Sequence, residues 1–532
     1  MLILPVYTNS FLKVYLTTPA MKDKFILILL LTLSISFVQA QQSYLDSSFS
    51  GNCSVSGDFN NGYGDVESAL AIQKDGKIVA VGYTLYAAPA YYEVIVTRYN
   101  ANGTTDKKFG TQGKISQGYG FGNDYGNDVK LQPDGKILVA GYTFQPTSNY
   151  DFFVSRYNRN GTLDSSFGHN GSVFIDNTLN YEYYPVMALQ EDGKIIVTGS
   201  TGSASRIAGT FIARLNTNGT LDNSFGTNGT IVQKMGTSSN ERGTAVILLP
   251  GTKIIVGGYC QDDAFNYQFC LLGYDSTGKP LMNFGINGKV LLLVTGYDLL
   301  HAMAVSADNK ILAAGEMGSN FGLVKFDDQG RLDNSFGDSG VVITNVGGSH
   351  IARAVAVQPN GKITVGGGSF VLARYKPKGV LDKSFGDNGL IKSNFNFNTS
   401  MLTMGLQKDG KPVTGGWKYE GANPTDFFTA RFLPALQAPI SVSKAATILQ
   451  QKNIPSLSAF PNPATHFVWV KGLSLKHASQ ITISNYAGII FRQQFAENNT
   501  ILKINIADMP AGMYYITVQD NATTRKCLFL KN

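Results

Sequence analysis

The tripeptide Asp-Gly-Lys, or a close variant of it, recurs seven times along the chain at intervals of 49 to 59 residues. Its copies begin at Asp75, Asp134, Asp192, Gly251, Asp308, Asn360 and Asp409. A phenylalanine followed by a small residue keeps the same step, at Phe49, Phe109, Phe167, Phe225, Phe284, Phe336 and Phe385. Self-similarity at a fixed period indicates a repeat architecture, and it constrains the fold more than the length of 532 residues does.

One unit of the repeat shows four strand-like segments. Val129–Leu131 and Lys136–Gly141 flank an Asp-Gly turn and predict a hairpin. Phe152–Tyr157 and Ser172–Ile175 predict a third and a fourth strand. Four antiparallel strands per unit are the content of a propeller blade, and closing blades into a ring protects their edges. We therefore predict an all-β, seven-bladed β-propeller over residues 41–433.

The last unit is incomplete and indicates how the ring closes. It ends at its third strand, Phe427–Phe432, without the Leu-Asp-x-Ser-Phe segment that follows in other units. The missing segment stands near the start of the chain, at Leu45–Phe49. We therefore expect an N-terminal strand to complete the seventh blade.

The third strand of every unit except the fourth carries a basic residue, and in most units an aspartate follows eight residues later. The predicted pairs are Arg98 with Asp106, Arg156 with Asp164, Arg214 with Asp222, Lys325 with Asp333, Arg374 with Asp382 and, across the closure, Arg431 with Asp46. Gly273 and Met282 replace both partners in the fourth unit, as expected for an ion pair, because one buried charge left alone is costly. A catalytic role is the alternative, but one copy per blade favours a structural one.

The first forty residues have the pattern of an export signal. Lys22 and Lys24 precede an apolar run over residues 25–37, and Val38-Gln39-Ala40 suits signal peptidase. We expect a signal peptide at 21–40, an upstream extension at 1–20, and no membrane-spanning segment in the mature chain, because the run is too short to cross a bilayer.

The four cysteines do not form a disulfide framework. Cys260 and Cys270 flank one predicted hairpin, where a local disulfide is geometrically feasible, and the sequence leaves open whether they are bonded. Cys53 and Cys527 lie in different predicted domains.

The motif Leu-Asp-x-Ser-Phe-Gly-x-x-Gly, followed by Gln-x-Asp-Gly-Lys-Ile, resembles the delta-60 repeat, a bacterial propeller-forming family of unknown function. The resemblance covers about residues 45–433. It implies an exported or cell-surface β-propeller, and it supplies no activity and no catalytic residues.

The end of the chain resembles a different family. A proline-punctuated polar stretch at 434–456 is expected to be a linker. In residues 457–532, the Pro-Asn-Pro entry at Pro461, the Gly-x-Tyr strand at Gly512 and the basic last strand resemble the C-terminal sorting domain of the type IX secretion system. The resemblance implies a small β-sandwich that engages the type IX machinery as an export address. The alternative is a small β-sandwich adhesion module.

Motifs for catalysis, metals or cofactors are missing from the sequence. The five histidines lack metal-ligand spacing: His169, His301, His350, His466 and His477. The net charge of +7 comes without a basic run, so we expect no nucleic-acid partner, and we likewise expect no metal and no cofactor. Charged residues that interrupt the repeat pattern are Asp124, Glu182, Glu241, Arg242, Asp262 and Asp263, and no pair of them has a diagnostic spacing. Whether the protein is an enzyme stays open, with a non-enzyme favoured.

The loops opposite the Asp-Gly-Lys turns vary between units and are rich in tyrosine. Variable loops on a rigid scaffold are where binding residues usually lie. The predicted ligand-binding residues are Tyr91, Tyr92, Tyr125, Tyr150, Tyr183, Tyr184, Trp417 and Tyr419. The leading hypothesis is a non-catalytic binding or adhesion propeller for an extracellular glycan or protein. The alternatives are a polysaccharide hydrolase or lyase acting at the channel mouth, and a structural surface protein whose tyrosines only pack loops.

Overall fold

The computed structural model describes residues 44–433 and 457–531. Gaps in this range fall at 60–63, 88–89, 120–121, 147–148, 177–180, 204–205, 238–239, 349, 394, 396, 421–424, 461–463, 472–478, 486–489, 497–500 and 520–523. The predicted upstream extension (1–20), signal peptide (21–40) and linker (434–456) lie outside the described residues. Every regular element in the described part is a β-strand.

The N-terminal unit contains seven four-stranded antiparallel sheets. Its strands are β1 Ser54–Gly57, β2 Asp65–Ile72, β3 Ile78–Ala87, β4 Ala90–Tyr99, β5 Lys114–Gln117, β6 Asp124–Leu131, β7 Ile137–Phe144, β8 Tyr150–Tyr157, β9 Ser172–Ile175, β10 Tyr181–Leu189, β11 Ile195–Ser203, β12 Arg206–Leu215, β13 Thr230–Gln233, β14 Glu241–Leu249, β15 Lys253–Gln261, β16 Tyr267–Tyr274, β17 Lys289–Leu292, β18 Asp298–Val305, β19 Ile311–Met317, β20 Asn320–Phe326, β21 Val341–Thr344, β22 Ala352–Val357, β23 Ile363–Gly367, β24 Val371–Tyr375, β25 Leu390–Lys392, β26 Asn398–Leu406, β27 Pro412–Tyr419 and β28 Asp426–Arg431. Blades 1 to 6 are β2–β5, β6–β9, β10–β13, β14–β17, β18–β21 and β22–β25, and blade 7 is β26–β28 with β1.

The blades form a closed ring around a central channel. The first strand of each blade contacts the first strand of the next, and β26 of blade 7 returns to β2 of blade 1. The middle strands are buried on both faces, as β7 and β8 show, because each sheet lies between two neighbours. Their near-continuous runs of valine, isoleucine and phenylalanine follow from that burial. The predicted propeller fold is confirmed.

The N-terminal strand closes the ring as predicted. β1 pairs with β28 in antiparallel register, with Ser54 opposite Ala430. Upstream of it, Leu45 bridges to Phe432, and the Asp46 amide donates to the Arg431 carbonyl at 2.9 Å. Blade 7 therefore combines strands from both ends of the propeller sequence.

The Asp-Gly-Lys turns and the Leu-Asp segments share one face of the ring, which we call the turn rim. In blade 2, Asp164 Oδ2 lies 2.7 Å from Arg156 Nε and 2.8 Å from Lys136 Nζ. Arg156 also donates to the carbonyl of Thr217 in blade 3 at 2.6 Å, so the ion pair joins neighbouring blades. Burial alone would raise the pKa of Asp164, but hydrogen bonds from Lys136 and Ser166 and the charge of Arg156 hold it well below its usual range.

The same arrangement repeats around the ring. Arginine-to-aspartate distances are 2.9 Å for Arg98–Asp106, 2.7 Å for Arg214–Asp222, 2.9 Å for Arg374–Asp382 and 3.0 Å for Arg431–Asp46. In blade 5, Lys325 lies 3.6 Å from Asp333 and 2.9 Å from Asp308. In blade 4, which has Gly273 and Met282 instead, Lys253 binds Asp328 at 2.6 Å. The sequence did not indicate that the lysine of the triplet joins the pair.

A disulfide links Cys260 of β15 to Cys270 of β16, while Cys53 and Cys527 are free thiols. The described residues include no helix that could span a membrane.

The C-terminal unit is a small β-sandwich. Its strands are β29 Ser458–Phe460, β30 Phe467–Lys471, β31 Ser479–Asn485, β32 Ile490–Ala496, β33 Ile501–Asn505, β34 Gly512–Gln519 and β35 Thr524–Lys531. One sheet has the order β29-β30-β33 and the other β32-β31-β34-β35. Val468, Ile504, Ile483 and Ile516 from the two sheets share one apolar core, as the sandwich prediction requires.

Candidate functional site

The first strand of every blade is interrupted by a β-bulge near the face opposite the turn rim, which we call the loop rim. Each bulge inserts one extra residue into that strand. The irregularities lie between Glu67 and Ala69, Gly126 and Asp128, Tyr183 and Val186, Gly243 and Ala245, Leu300 and Ala302, Ala352 and Ala354, and Met401 and Thr403. A bulge changes the direction of side chains, and here the strands that carry it surround the channel.

A recurring glycine in the second strand accompanies each bulge. A Cβ built on Gly258 would lie 1.9 Å from the carbonyl oxygen of Arg242, closer than real atoms approach. The same contact, at 1.8 to 2.7 Å, occurs at Gly82, Gly141, Gly199, Gly315, Gly367 and Gly416. Glycine at this position therefore lets the bulged backbone lie against the second strand.

The bulged segments surround a cavity of about 370 Å³, which we call the channel pocket. Every blade contributes lining residues from its first strand, for example Ser68, Asn127, Thr244 and Leu402. Blades 1 to 3 also provide three tyrosines, and blades 4 to 6 provide three basic residues. These are Tyr83, Tyr142 and Tyr184, and Arg242, His301 and Arg353.

The three basic residues are half-buried and lie close to one another. Arg353 Nη1 is 3.2 Å from His301 Nδ1, and the guanidinium carbon of Arg242 is 3.5 Å from the ring centre of Tyr184. The Arg242 Nε and His301 Nε2 atoms are buried and have no hydrogen-bond partner within the described part of the chain. The charge of Arg353 favours ionisation of Glu316, but burial outweighs it and raises the pKa of the Glu316 carboxyl.

The environment fixes the protonation of His301. Burial, followed by the charges of Arg353 and Arg242, lowers its pKa well below the usual range, so the ring is neutral at pH 7. A guanidinium can only donate hydrogen bonds, so Nδ1 must accept from Arg353 and the proton resides on Nε2. Burial and the charge of Arg242 likewise lower the pKa of Arg353.

A cluster of tyrosines extends from the pocket across the loop rim of blades 1 to 3. We call this group the tyrosine cluster, and its members are Tyr83, Tyr92, Tyr125, Tyr142, Tyr150, Tyr181, Tyr183 and Tyr184. Ring centres of Tyr125 and Tyr142 are 4.7 Å apart, and those of Tyr83 and Tyr125 are 5.0 Å apart. Burial and the neighbouring Tyr92 raise the pKa of Tyr83 to about 12, so its hydroxyl stays protonated.

The structure brings together only some of the tyrosines expected to bind a ligand. Tyr92, Tyr125, Tyr150, Tyr183 and Tyr184 belong to the tyrosine cluster. Tyr91 stacks on Tyr86 at 5.6 Å instead, at the tip of the β3–β4 hairpin. Trp417 and Tyr419 lie on β27 of blade 7, without a ring contact to the cluster among the described residues.

Most of the charged residues that interrupt the repeat pattern in the sequence have local roles. Asp124 accepts a hydrogen bond from the Tyr119 amide at 2.8 Å, and Glu241 accepts from the amides of Met235 and Gly236. Asp65 and Asp298 bind loop amides in the same way, so an acid at this position is itself repeated. Glu182 accepts from Thr201, Asp262 caps its own turn, and Asp263 accepts from Thr237. Arg242 alone of this set lines the channel pocket.

His301 and Arg353 were missed by sequence reasoning. Spacing between histidines or charges does not reveal them, because they come from different blades. His301 and Arg353 are the bulge residues of blades 5 and 6, whereas the bulge residues of blades 1, 2 and 4 are small or polar. A comparison of this position between units would therefore have identified both.

Two family models match the sequence. The model described as a domain of unknown function (DUF5122) beta-propeller matches residues 73–109, 132–167, 190–225, 306–336 and 358–385. The model of a secretion system C-terminal sorting domain matches residues 458–530. The matched segments fall in blades 1, 2, 3, 5 and 6, and the sequence has no match among curated proteins.

Solved structures with a similar fold include propellers of several kinds. A polysaccharide lyase, PL25 ulvan lyase, is 12% identical with a TM-score of 0.43, and the match covers 72% of this chain and 98% of that one. The β-propeller domain of the trilobed protease from Pyrococcus furiosus is 12% identical with a TM-score of 0.39, over 70% of this chain and 98% of that one. At this sequence identity and TM-score, neither similarity supports a conclusion about function.

Proposed function

This chain is an exported β-propeller with DUF5122 repeats and a type IX sorting domain, and on that premise we propose that it is a non-catalytic protein that binds an extracellular glycan at its channel pocket. The sorting domain addresses the protein to the cell surface or the surrounding medium through the type IX machinery. Extracellular glycans are ligands available in that location. A protein ligand is the competing possibility, and the test below includes it.

The observation that carries the proposal is the continuity between the tyrosine cluster and the pocket. Tyr83, Tyr142 and Tyr184 belong to both. Tyrosine rings offer apolar faces to the C–H faces of sugars, and their hydroxyls offer hydrogen bonds at the edge. A volume of about 370 Å³ lies within the range usual for small-ligand sites, so the pocket suits one or two sugar units with the rest of a chain along the cluster.

A binding role is favoured over hydrolysis or elimination by how the nearby acids and bases are occupied. The proton-accepting nitrogen of His301 already receives a hydrogen bond from Arg353. Asp124 and Glu241 are engaged by loop amides. Catalysis needs an acid or base within reach of the substrate, whereas these three side chains are already engaged in contacts within the protein and have structural roles.

The test is an array of extracellular glycans and proteins probed with the secreted protein and two variants. We expect a glycan to be retained, and Tyr183→Ala combined with Tyr184→Ala to weaken its binding by about tenfold or more, equivalent to about 1.4 kcal/mol. Tyr419→Ala, on blade 7, is the matched control and should bind like the unmodified protein.

Thermal unfolding of each variant accompanies the array, so that loss of binding is separated from loss of folding. Unchanged glycan binding in the folded double variant would contradict the proposal. Selective retention of proteins, or the appearance of cleaved glycan products, would contradict it equally.

A further inference from the structure

We infer that the channel pocket binds an oxyanion, the carboxylate or sulfate group of an acidic sugar, between Arg242 and Arg353. The sugar part of this inference rests on the proposed function, whereas the anion part stands on the charges of the pocket alone.

The pocket concentrates positive charge, and its two arginines form no ion pair with an acid of the described residues. No carboxylate of the described residues lies within 4.0 Å of Arg242 or Arg353, whereas the arginine of a blade pair, such as Arg156, has an aspartate at 2.7 Å. Two half-buried guanidiniums facing a common cavity repel each other, and His301 lies beside them. Such an arrangement is unfavourable by itself and becomes favourable when an anion enters.

The unused hydrogen-bonding atoms of these residues are donors. Arg242 Nε and His301 Nε2 are buried and unpartnered in the described structure, and the assigned tautomer places a proton on that histidine nitrogen. The remaining N–H groups of Arg353 add further donors. A carboxylate or sulfate accepts several such bonds at once, and a planar guanidinium matches two of its oxygens.

Tyr184 positions one of these arginines. Its backbone φ is 59°, a left-handed value that is uncommon for a residue other than glycine. In that conformation its ring lies 3.5 Å from the Arg242 guanidinium carbon, so the arginine is held by a cation–π contact and keeps its donors free. Strain at a single bulged residue is typical of a functional site.

The one acid in the pocket lining does not neutralise this charge. Asp128 of blade 2 accepts hydrogen bonds from Lys130 Nζ and from the Met187 amide, both at 2.7 Å. Its charge is therefore balanced locally, and blade 2 lies across the ring from blades 5 and 6. Asp128 therefore does not cancel the charge of the three basic residues.

An acidic sugar fits this site better than an acidic peptide because the other wall is aromatic. Tyr83, Tyr142 and Tyr184 face the same cavity as the basic residues. An acidic sugar presents both groups within one residue: an acid for the arginines and a C–H face for the tyrosines.

The first test measures binding of small anions to the full-length secreted protein by calorimetry and thermal unfolding. The probes are sodium sulfate, sodium glucuronate, glucose, and sodium chloride at equal ionic strength. We expect sulfate or glucuronate to bind and to raise the unfolding temperature, with glucose and chloride having no such effect.

The variant Arg242→Gln with Arg353→Gln should weaken anion binding by about tenfold or more. Arg331→Gln is the matched control, because that arginine is exposed and lies in a surface ion pair with Asp327. Without an anion, the double variant should unfold at the same temperature as the unmodified protein or a higher one, because a repulsion is removed. Failure of both anions to bind the unmodified protein would overturn the inference, whether or not the variant folds.

The second test compares glucuronate-containing polysaccharide, sulfated polysaccharide, neutral polysaccharide and polyglutamate on the same proteins. Preference for one of the two acidic polysaccharides, lost in the double variant, is expected and identifies which acid is bound. If neutral polysaccharide binds equally to the double variant, the anion inference fails and the proposed function stands. If polyglutamate binds through the arginines while no polysaccharide does, the proposed function fails and the anion site stands.

Discussion

The glycine of each second strand and the bulged segment of the first strand opposite it act as one unit. At Gly258 the absence of a side chain leaves room for the carbonyl oxygen of Arg242, two residues before the bulged Thr244, and both Arg242 and Thr244 line the channel pocket. The repeated glycine therefore permits the bulge in every blade, and the side chains of the bulged segment differ between blades. The constraint is steric and does not depend on which side chain occupies the bulge.

Replacing Gly258 by alanine tests this unit. The added Cβ must displace the Arg242 carbonyl, so we expect a loss of about 1–3 kcal/mol in the free energy of unfolding together with weaker ligand binding. Gly209→Ala is the control, since a Cβ there meets its nearest atom at an ordinary 3.5 Å. Equal effects of the two substitutions in denaturant titration would refute the steric account.

The blade ion pairs give a second residue-scale prediction. Asp164→Asn leaves Arg156 buried without its charge partner, and we expect a loss of about 3 kcal/mol. Adding Arg156→Met should cost less than the sum of the two single changes, because the unpaired charge is removed. Arg331→Gln, in an exposed pair, should cost below about 1 kcal/mol. Strict additivity in the double-mutant cycle would contradict a coupled pair.

The same carboxyls determine how stability depends on pH. Burial opposes ionisation of these aspartates, but hydrogen bonds and basic partners outweigh it and lower the pKa of Asp46, Asp106, Asp164, Asp222, Asp333 and Asp382. Their stabilisation is complete above the unfolded value of about 4 and is lost as the pH falls through the lower folded values. Burial raises the pKa of Asp65, Asp124 and Asp151 to about 6, so the urea midpoint should rise between pH 7 and 5, and the loss of the lowered aspartates should make it fall below about pH 4. A midpoint that keeps rising below about pH 4 would contradict this.

Sequence reasoning reached part of the residue-scale picture. It identified the arginine–aspartate partners from their joint loss in blade 4 and singled out Arg242. It did not predict that Lys136 and its equivalents bind the same aspartates, because a lysine in a turn is usually expected to be exposed to solvent. It also did not find His301 and Arg353, because proximity around a channel depends on ring geometry rather than on sequence spacing.

Among the elements, contacts on the turn rim link each blade to the next. The Gly168 amide donates to the Asn218 carbonyl at 2.7 Å, and Gly219 lies against the ring of Phe167. The Arg156 guanidinium spans the same boundary to Thr217. Phe167-Gly168 of blade 2 and Asn218-Gly219 of blade 3 are therefore the two sides of one inter-blade joint. The four strands of each blade were predictable from alternation and turns, but the bulges were not, since one inserted residue hardly alters a short apolar pattern.

Blade 7 is the element whose integrity depends on chain closure. Arg431 and Asp46 are 385 residues apart, so the joint closes a very long loop. We expect Asp46→Asn to speed amide hydrogen exchange in β1 and β28 together, as that blade opens. Asp106→Asn breaks a pair separated by only eight residues and should leave exchange in β1 and β28 unchanged. Amide exchange in β1 and β28 of the Asp46 variant that is as slow as in the unmodified protein would show that the closure does not depend on this pair.

At the scale of the whole molecule, the two rims of the propeller have different roles. The turn rim repeats its contacts from blade to blade and holds the ring together. The loop rim differs from blade to blade and carries the tyrosine cluster beside the channel pocket. The sequence could predict this division because repeated and variable segments alternate along the chain, whereas the pocket itself emerges only when seven strands meet.

The sorting domain provides a prediction about the fate of the protein in the cell. Removing residues 458–530 should leave the propeller folded but retained in the periplasm of a host with a type IX system. Immunoblots of periplasm, cell surface and medium measure this, with a substitution of exposed Tyr515 as a control that keeps the domain. Normal export of the truncated chain would contradict the assignment of the address.

The most direct test of the central claim is a crystal structure of the protein grown with the glycan it retains from the array. We predict density for a sugar in the channel pocket, with an acid group between Arg242 and Arg353 and a sugar face against Tyr184. Sugar density confined to the turn rim, with the channel pocket holding only water, would contradict the account.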